Sequence, residues 1–98
     1  MKKRKETLEA ASGLLKLLSH PVRLSILCNL IHNGEMSVGE IVDAEGGAAG
    51  QSQISQFLGK MRSEDLIKSR KEGQTVYYEI KSPEAQKVVK AVYSIYCK

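Results

Sequence analysis

The chain has 98 residues, of which 42% are hydrophobic and 27% charged, and this composition fits one globular domain of ordinary kind. Its formal net charge is +4, but the KKRK segment at positions 2–5 supplies four of the 15 basic residues, and the other 11 face 11 acids. Net charge by itself is therefore weak evidence for a nucleic-acid partner.

The sequence pattern predicts neither a membrane span nor a secretory leader. No stretch approaches the roughly 20 apolar residues of a membrane helix, and the basic start is followed by ETLEAAS rather than by an unbroken apolar run. We therefore expect a cytoplasmic protein, in which Cys28 and Cys97 would be kept reduced by default. Because these two cysteines lie far apart in the sequence, they cannot form a CxxC zinc or redox motif.

The first predicted helix follows residues 1–6, which we expect to be a basic, flexible tail. Leu8, Ala11, Leu15 and Leu18 keep helical spacing, and two further leucines widen the apolar stripe. Residues from about 7 to 18 are therefore predicted to form a helix that is apolar over much of its girth. In so short a chain, that width favours burial between subunits.

The second helix is predicted to begin at the Ser-His-Pro segment 19–21. Ser19 can cap the exposed amides, and Pro21 is tolerated in a first helical turn. Apolar residues at helical spacing carry the helix to about His32, and the Asn-Gly pair that follows ends it. Cys28 falls on its buried stripe, where a cysteine is commonly a small core hydrophobe.

A short third helix is predicted from a capping box, in which Ser37 precedes Glu40 by three positions. The Gly- and Ala-rich segment from Glu45 to Gly50 is predicted to be the turn after it. A turn of about three or four residues is typical of a helix-turn-helix, so this one is long.

The most informative stretch is QSQISQFLGKMR, from Gln51 to Arg62, because its two helical faces differ. One face is apolar at the spacing of a helix that docks on a core: Ile54, Phe57, Leu58 and Met61. The other carries short hydroxyl and amide groups beside Gly59, namely Ser52, Gln53, Ser55 and Gln56. Gln can form two hydrogen bonds with adenine and Ser can bond several bases, so this face is predicted to contact the major groove. An ordinary solvated helix face is the alternative interpretation of these residues alone.

Beyond Ser63 the periodicity changes to that of strands. Segments 66–70 and 75–80 are predicted to be two strands, joined by a charged, Gly-containing turn over 71–74. Such a hairpin after a recognition helix makes a wing, whose basic residues would lie against the DNA backbone. The predicted backbone contacts of helix and wing are Lys60, Arg62, Lys68, Arg70 and Lys71.

The last helix is predicted to open at Ser82 and Pro83, and it carries two apolar stripes. This is more apolar surface than one side of a small monomer needs. We therefore predict that the first and last helices form the interface of a two-fold homodimer, which would match a palindromic operator. The predicted fold is mainly α with a two-stranded β-hairpin wing. It is a winged helix-turn-helix of order α-α-α-α-β-β-α in a single domain over residues 1–98.

Four segments together resemble the ArsR/SmtB family of winged-helix transcriptional repressors: LLKLLSHPVRLSIL, SVGEI, QISQFLGKMR and QTVYYEIKS. The resemblance covers nearly the whole chain from about Leu14 onward, and the Gly-rich turn is longer than the family's usual one. ILCNL and YSIYCK look like the dithiol subgroup of the BigR, YgaV and HlyU type. The resemblance implies that Cys28 and Cys97 meet in space and control DNA affinity through persulfide or redox chemistry. Two unrelated cysteines are the alternative.

Metal sensing and catalysis find little support in the residues. Metal-sensing members of the resembled family use Cys-x-Cys on the third helix or Asp, His and Glu on the last, whereas VGEIVDA lacks Cys and His and the last helix lacks His and Asp. A pair of His20 and His32 would still lack ligands for a tetrahedral site. Because phosphate loops, GxSxG and a His beside a nucleophile are also missing, we predict neither metal nor cofactor, and no enzyme.

Two functions from different classes are compatible with the sequence. The first is a dimeric, sequence-specific DNA-binding repressor, with or without a thiol switch. The second is a winged-helix protein-interaction module whose polar helix face never touches DNA. Salt dependence separates them, because DNA binding weakens with a log–log slope near −0.9 per phosphate contact.

Overall fold

A computed structural model describes residues 2–96 of the chain and the side chains of residues 7–96, so that Met1, Cys97 and Lys98 lie outside it. The elements are α1 (Lys2–Leu18), α2 (Pro21–Asn33), β1 (Met36–Ser37), α3 (Val38–Glu45), α4 (Gln51–Ser63), β2 (Ile67–Glu72), β3 (Thr75–Ile80) and α5 (Pro83–Tyr96). The predicted winged helix-turn-helix is confirmed, with β1 as an addition to the predicted order.

Helix α1 begins earlier than the sequence analysis predicts. It starts at Lys2 and so takes in the basic segment that we expected to be a flexible tail. Lys, Arg and Glu are good helix formers, so nothing in this segment interrupts the helix. Among the described residues no single helix is long and apolar enough to cross a membrane, although the bent pair Thr7–Leu18 and Pro21–Asn33 would meet that test together.

The residue that caps α2 also differs from the prediction. His20, not Ser19, is the N-cap, and its Nδ1 accepts a hydrogen bond of 3.1 Å from the amide of Val22. Ser19 instead donates from its Oγ to the carbonyl of Lys16 at 2.8 Å, which completes α1. The reason is Pro21, because the residue before a proline is pushed to the extended backbone that an N-cap requires.

The hydrophobic core draws on all five described helices and on two strands. Within α2, Ile26 and Leu27 are completely buried, and Cys28 is 8% exposed. The buried apolar residues are Leu18, Ile26, Leu27, Cys28, Leu30, Met36, Ile41, Ala49, Ile54, Leu58, Met61, Leu66, Ile67, Ala85 and Val89. Helix α4 is therefore held by its apolar face against a core that α2 and α3 help to form.

The three described strands form an antiparallel sheet in the order β1-β3-β2. β1 adds to the predicted hairpin by pairing Met36 with Tyr78. The predicted turn over 71–74 is too long at its start, because β2 extends to Glu72, which pairs with Thr75. The loop is thus the two residues Gly73 and Gln74. Gly73 has a φ of +62°, which a tight hairpin loop needs at that position.

Candidate nucleic-acid interface

Helix α4 divides into the two faces that its sequence predicts. Ile54, Leu58 and Met61 are each 0% exposed. Phe57 is half-buried, with its ring centroid 4.7 Å from that of His20 and 5.4 Å from the guanidinium carbon of Arg23. The start of α2 thus packs against the middle of α4 and fixes how the helix is rotated about its axis.

The opposite face of α4 is exposed along its length. Its exposed side chains are those predicted to contact bases: Ser52, Gln53, Ser55 and Gln56. Gly59 continues this face, and a Cβ atom built there would meet no described atom within 4 Å. Packing within the described residues therefore does not require glycine at this position. Because Gly59 has no side chain, the helix backbone is accessible at this point of the face.

The predicted basic contacts fall on two different faces of the sheet. Successive strand residues point to opposite sides, so Ser69 and Lys71 share one side of β2 with the buried Ile67. We call this the inner face. Arg62 of α4 reaches it, donating from Nη1 to Ser69 Oγ at 3.1 Å. Arg62 and Lys71 thus lie on the side of the wing next to α4.

The outer face of the sheet carries Lys68 and Arg70, and both are ion-paired, whereas the fifth predicted contact, Lys60, is exposed in the last turn of α4. Lys68 lies 3.2 Å from Glu79. Arg70 donates from Nε and Nη2 to both carboxylate oxygens of Glu35, at 2.6 and 2.7 Å, and from Nη1 to Glu72 at 2.7 Å. Three carboxylates therefore meet two cations on this face.

The Arg70 guanidinium also lies over an aromatic ring, and its hydrogen bonds shift the pKa values of the ion pair. Its central carbon lies 4.7 Å from the ring centroid of Tyr77, its cross-strand partner. The hydrogen bond from Arg70 lowers the pKa of Glu35 below its usual 4.5, and the charges of Arg70 and Lys68 add to this effect. The bonds from Glu35 and Glu72 raise the pKa of Arg70. Both groups are thus charged at neutral pH.

Cys28 lies in the core on α2, as predicted, whereas Cys97 lies outside the described residues, so their pairing stays a prediction.

α2 and α5 make a side-chain contact through two residues that are near Cys28 and Cys97 in the sequence. The hydroxyl of Tyr93 is 2.8 Å from Nδ1 of His32, and the two rings stack with centroids 5.6 Å apart. His32 follows Cys28 by one turn of α2, and Tyr93 precedes Cys97 by four positions in the sequence. From the sequence, His32 was placed only near the end of the second helix.

Glu45 is a structural residue that the sequence analysis missed. It is the last residue of α3 and is only 7% exposed. Its Oε2 accepts hydrogen bonds from Ser25 Oγ at 2.9 Å and from Asn29 Nδ2 at 3.0 Å. These bonds tie the end of α3 to α2 immediately before the chain turns into α4. Ser25 and Asn29, four positions apart among the apolar residues of α2 and so on one side of it, are the signal that could have indicated a polar partner.

The two histidines take part in contacts within the chain. His20 caps α2, and His32 bonds Tyr93. Among the described residues, no group of three His, Cys, Asp or Glu side chains is arranged to hold a metal ion.

Known proteins resemble this chain closely enough to assign its family. No protein-family model matches it. The biofilm growth-associated repressor of Xylella fastidiosa is 40% identical over 86 residues, which cover 88% of this chain and 73% of the repressor. The regulator YgaV of Escherichia coli K12 is 39% identical over 89 residues, covering 91% and 88%. The chain belongs to the BigR/HlyU family of winged-helix transcriptional regulators. Reduced HlyU from Vibrio cholerae matches this BigR/HlyU-family chain with a TM-score of 0.89 and 35% identity over 100% of both chains.

Membership of the BigR/HlyU family decides between the broad classes of function. The relatives are transcriptional regulators and not enzymes, and they support DNA as the partner of this chain. Their names include both repressors and an activator, HlyU of Vibrio cholerae.

Proposed function

We propose that the chain is a homodimeric, sequence-specific repressor whose α4 lies in the major groove of a palindromic operator. We further propose that reversible chemistry at Cys28 and Cys97 controls its DNA affinity. The observation that carries the proposal is the division of α4, in which Ile54, Leu58 and Met61 are fully buried and the side chains predicted to contact bases are all exposed. A regulator of this kind works beside the chromosome, so cytoplasmic location belongs to the same proposal.

The exposed face of α4 has suitable chemistry for contact with base edges. Gln53 and Gln56 can each offer an acceptor and a donor to adenine, and the serines can bond several bases. Because Gly59 adds no side chain, a groove floor can come close to the helix there. These contacts would select sequence, whereas phosphate contacts would set register and orientation.

Among the predicted backbone contacts, Lys60, Arg62 and Lys71 are best placed for this role. Lys60 and Arg62 lie in the last turn of α4, and Lys71 lies on the inner face of the wing. Lys68 and Arg70 would first have to exchange a carboxylate for a phosphate. The positive charges that neutralise the DNA phosphates would therefore come mainly from the α4 side of the wing.

The dimer is supported by large apolar side chains that α1 and α5 leave exposed. Leu8 and Leu15 are 60% and 59% exposed on α1, and Ile95 and Tyr96 are 64% and 80% exposed on α5. Leu8 and Leu15 are two helical turns apart and so share one face. Exposed apolar patches of this kind mark interaction surfaces. A two-fold pairing of them would present two copies of α4 to two half-sites.

The proposed switch oxidises two thiols and reduces a persulfide. Cys28 and Cys97 lose two protons and two electrons and form a bridge, while R–S–SH takes them up and leaves as R–SH and H₂S. Three observations support it: Cys28 is a buried residue of α2, α2 is bonded to α5 through His32 and Tyr93, and the HlyU structure that this chain resembles is that of a reduced protein. A bridge would covalently tie α5 to α2 and so couple the proposed dimer interface to the DNA-binding body.

The DNA-binding part is tested with Gln56→Ala, and Gln86→Ala on the exposed side of α5 serves as the matched control. Binding to the DNA upstream of its own gene is compared with random DNA at moderate salt. Gln56→Ala should cost about 1–3 kcal/mol at the operator and change base preference, whereas Gln86→Ala should do neither. A wild-type protein without preference for its operator over random DNA would refute the repressor.

The switch is tested by persulfide treatment of the wild type and of the Cys28→Ser and Cys97→Ser variants. Mass spectrometry should find an intramolecular link in the wild type, and operator affinity should fall as the link forms. Both variants should stay unlinked and keep their DNA. If they release DNA under the same treatment, the thiols are not the switch.

A further inference from the structure

We propose that Glu35 and Arg70 form an anchor that fixes the wing to the end of α2, so that Arg70 positions the wing and does not contact phosphate. This inference rests on the proposed DNA-binding function. We call Glu35, Arg70, Glu72 and Tyr77 the wing anchor.

In the wing anchor, the guanidinium of Arg70 has hydrogen-bond partners for three of its nitrogens. Glu35 takes two parallel bonds from the guanidinium, the bidentate arrangement in which arginine is most specific. Glu72 accepts a third hydrogen bond from Nη1, and the guanidinium lies over the ring of Tyr77. One cation thus meets two carboxylates, and the resulting negative balance disfavours an approaching phosphate.

The position of Glu35 explains what the anchor would hold. It lies between the end of α2 at Asn33 and the start of β1 at Met36. Arg70 lies in the middle of β2, the strand that β1 does not touch, because the sheet order is β1-β3-β2. The ion pair therefore spans the sheet from its first strand to its third. It adds a side-chain connection where the two-residue β1 provides only a short backbone ladder.

An anchor and a plain charge effect predict different signs for two single variants. Arg70→Ala removes a positive charge and should weaken DNA binding by simple electrostatics, whereas Glu35→Gln removes a negative charge and should strengthen it. If the two residues act together to position the wing, both variants weaken binding. Glu9→Gln, at an exposed position of α1, makes the same charge change as Glu35→Gln without touching the anchor.

The experiment measures operator affinity as a function of salt for these three variants, the Glu35→Gln/Arg70→Ala double variant and Lys71→Ala. Arg70→Ala and Glu35→Gln should each weaken binding by about two- to fivefold, the effect of an exposed ion pair, and the double variant should be no weaker than either. Their log–log salt slopes should match that of the wild type. Lys71→Ala, as a lost phosphate contact, should reduce the slope by about 0.9.

Several outcomes would overturn the anchor. Tighter binding by Glu35→Gln would mean that Glu35 competes with phosphate for Arg70, and a salt slope reduced by about 0.9 in Arg70→Ala would make it a phosphate contact. Amide hydrogen exchange in β2 and β3 tests the anchor without DNA, and should be faster in both single variants. Unchanged exchange refutes the anchor, whereas loss of operator preference by the wild type refutes only the proposed function.

Discussion

Adding a methyl group at Gly59 is expected to have opposite effects on the stability of the fold and on the affinity for DNA. Gly59 lies in the interior of α4 on its exposed face, and a Cβ there would meet no described atom within 4 Å. Gly59→Ala should therefore stabilise the fold, because alanine is favoured over glycine in a helix interior by about 1 kcal/mol. For a chain of this size the melting temperature should rise by about 4–8 °C.

The same methyl group should weaken operator binding if α4 lies in the major groove. Forcing an extra methyl into a closely packed contact costs about 1–3 kcal/mol, which corresponds to an affinity loss of about five- to 150-fold. Gly13→Ala is the matched control, because Gly13 is also an interior helical glycine, on α1, with no described atom near its Cβ position. It should give a similar stabilisation and leave operator affinity unchanged.

The assay pairs thermal unfolding with operator titration, at one protein concentration because a dimer's melting temperature depends on it. A more stable Gly59→Ala protein that binds the operator as tightly as Gly13→Ala would refute close approach of this face to DNA. A less stable Gly59→Ala protein would instead refute the assignment of Gly59 to an open helical surface.

Three further predictions concern the interface, the helix-turn-helix and the wing. Leu15→Glu should convert the dimer to monomer in sedimentation, since it places a charge in the proposed interface; an unchanged dimer would exclude this part of α1. Glu45→Ala should lower the free energy of unfolding by about 2–3 kcal/mol through two lost bonds to a carboxylate, while the exposed Asp43→Ala should change it by less than about 0.5 kcal/mol; equal urea midpoints would contradict this. The pairing with Arg70 lowers the pKa of Glu35, so its stabilisation should be complete above pH 4.5 and be lost as the pH falls through the folded value. An NMR titration of Glu35 should have its midpoint below 4.5 and return towards 4.5 in Arg70→Ala; a wild-type midpoint at or above that value would contradict the pairing.

Local patterns predicted the longer helices because these carry enough turns to display a period, and the short α3 was predicted from its capping box instead. Helix α4 was predicted from Gln51 to Arg62 and extends to Ser63, and its buried face was correctly named. Strand β1 was missed because two residues have no periodicity, and its pairing with β3 depends on residues about 40 positions away. The capping of α2 by His20 was missed because Ser is the commoner cap, and only the effect of Pro21 on the preceding backbone decides between them.

The sequence indicated the charges of the candidate interface but not their partners. Lys68, Arg70 and Lys71 are close neighbours in the chain, yet strand alternation places Lys71 on the inner face and the other two on the outer face. Arg70 pairs with Glu35, 35 positions away, through the register of a sheet whose first strand was not predicted. The buried role of Glu45 was likewise hidden, because its donors lie 20 and 16 positions earlier on α2.

The order of the strands also bears on how the molecule avoids self-association through its wing. The strand with the most β-prone sequence, TVYYEI in β3, is the central one, with β2 along its full length and β1 against its two tyrosines. An exposed strand of this composition would offer its backbone to a neighbouring chain. The sheet's long outer edge is instead β2, whose charged side chains, Lys68, Arg70, Lys71 and Glu72, disfavour backbone pairing with an incoming copy. The two-residue β1 thus covers the backbone of β3 at Tyr77 and Tyr78, where an incoming strand would otherwise pair with its aromatic residues.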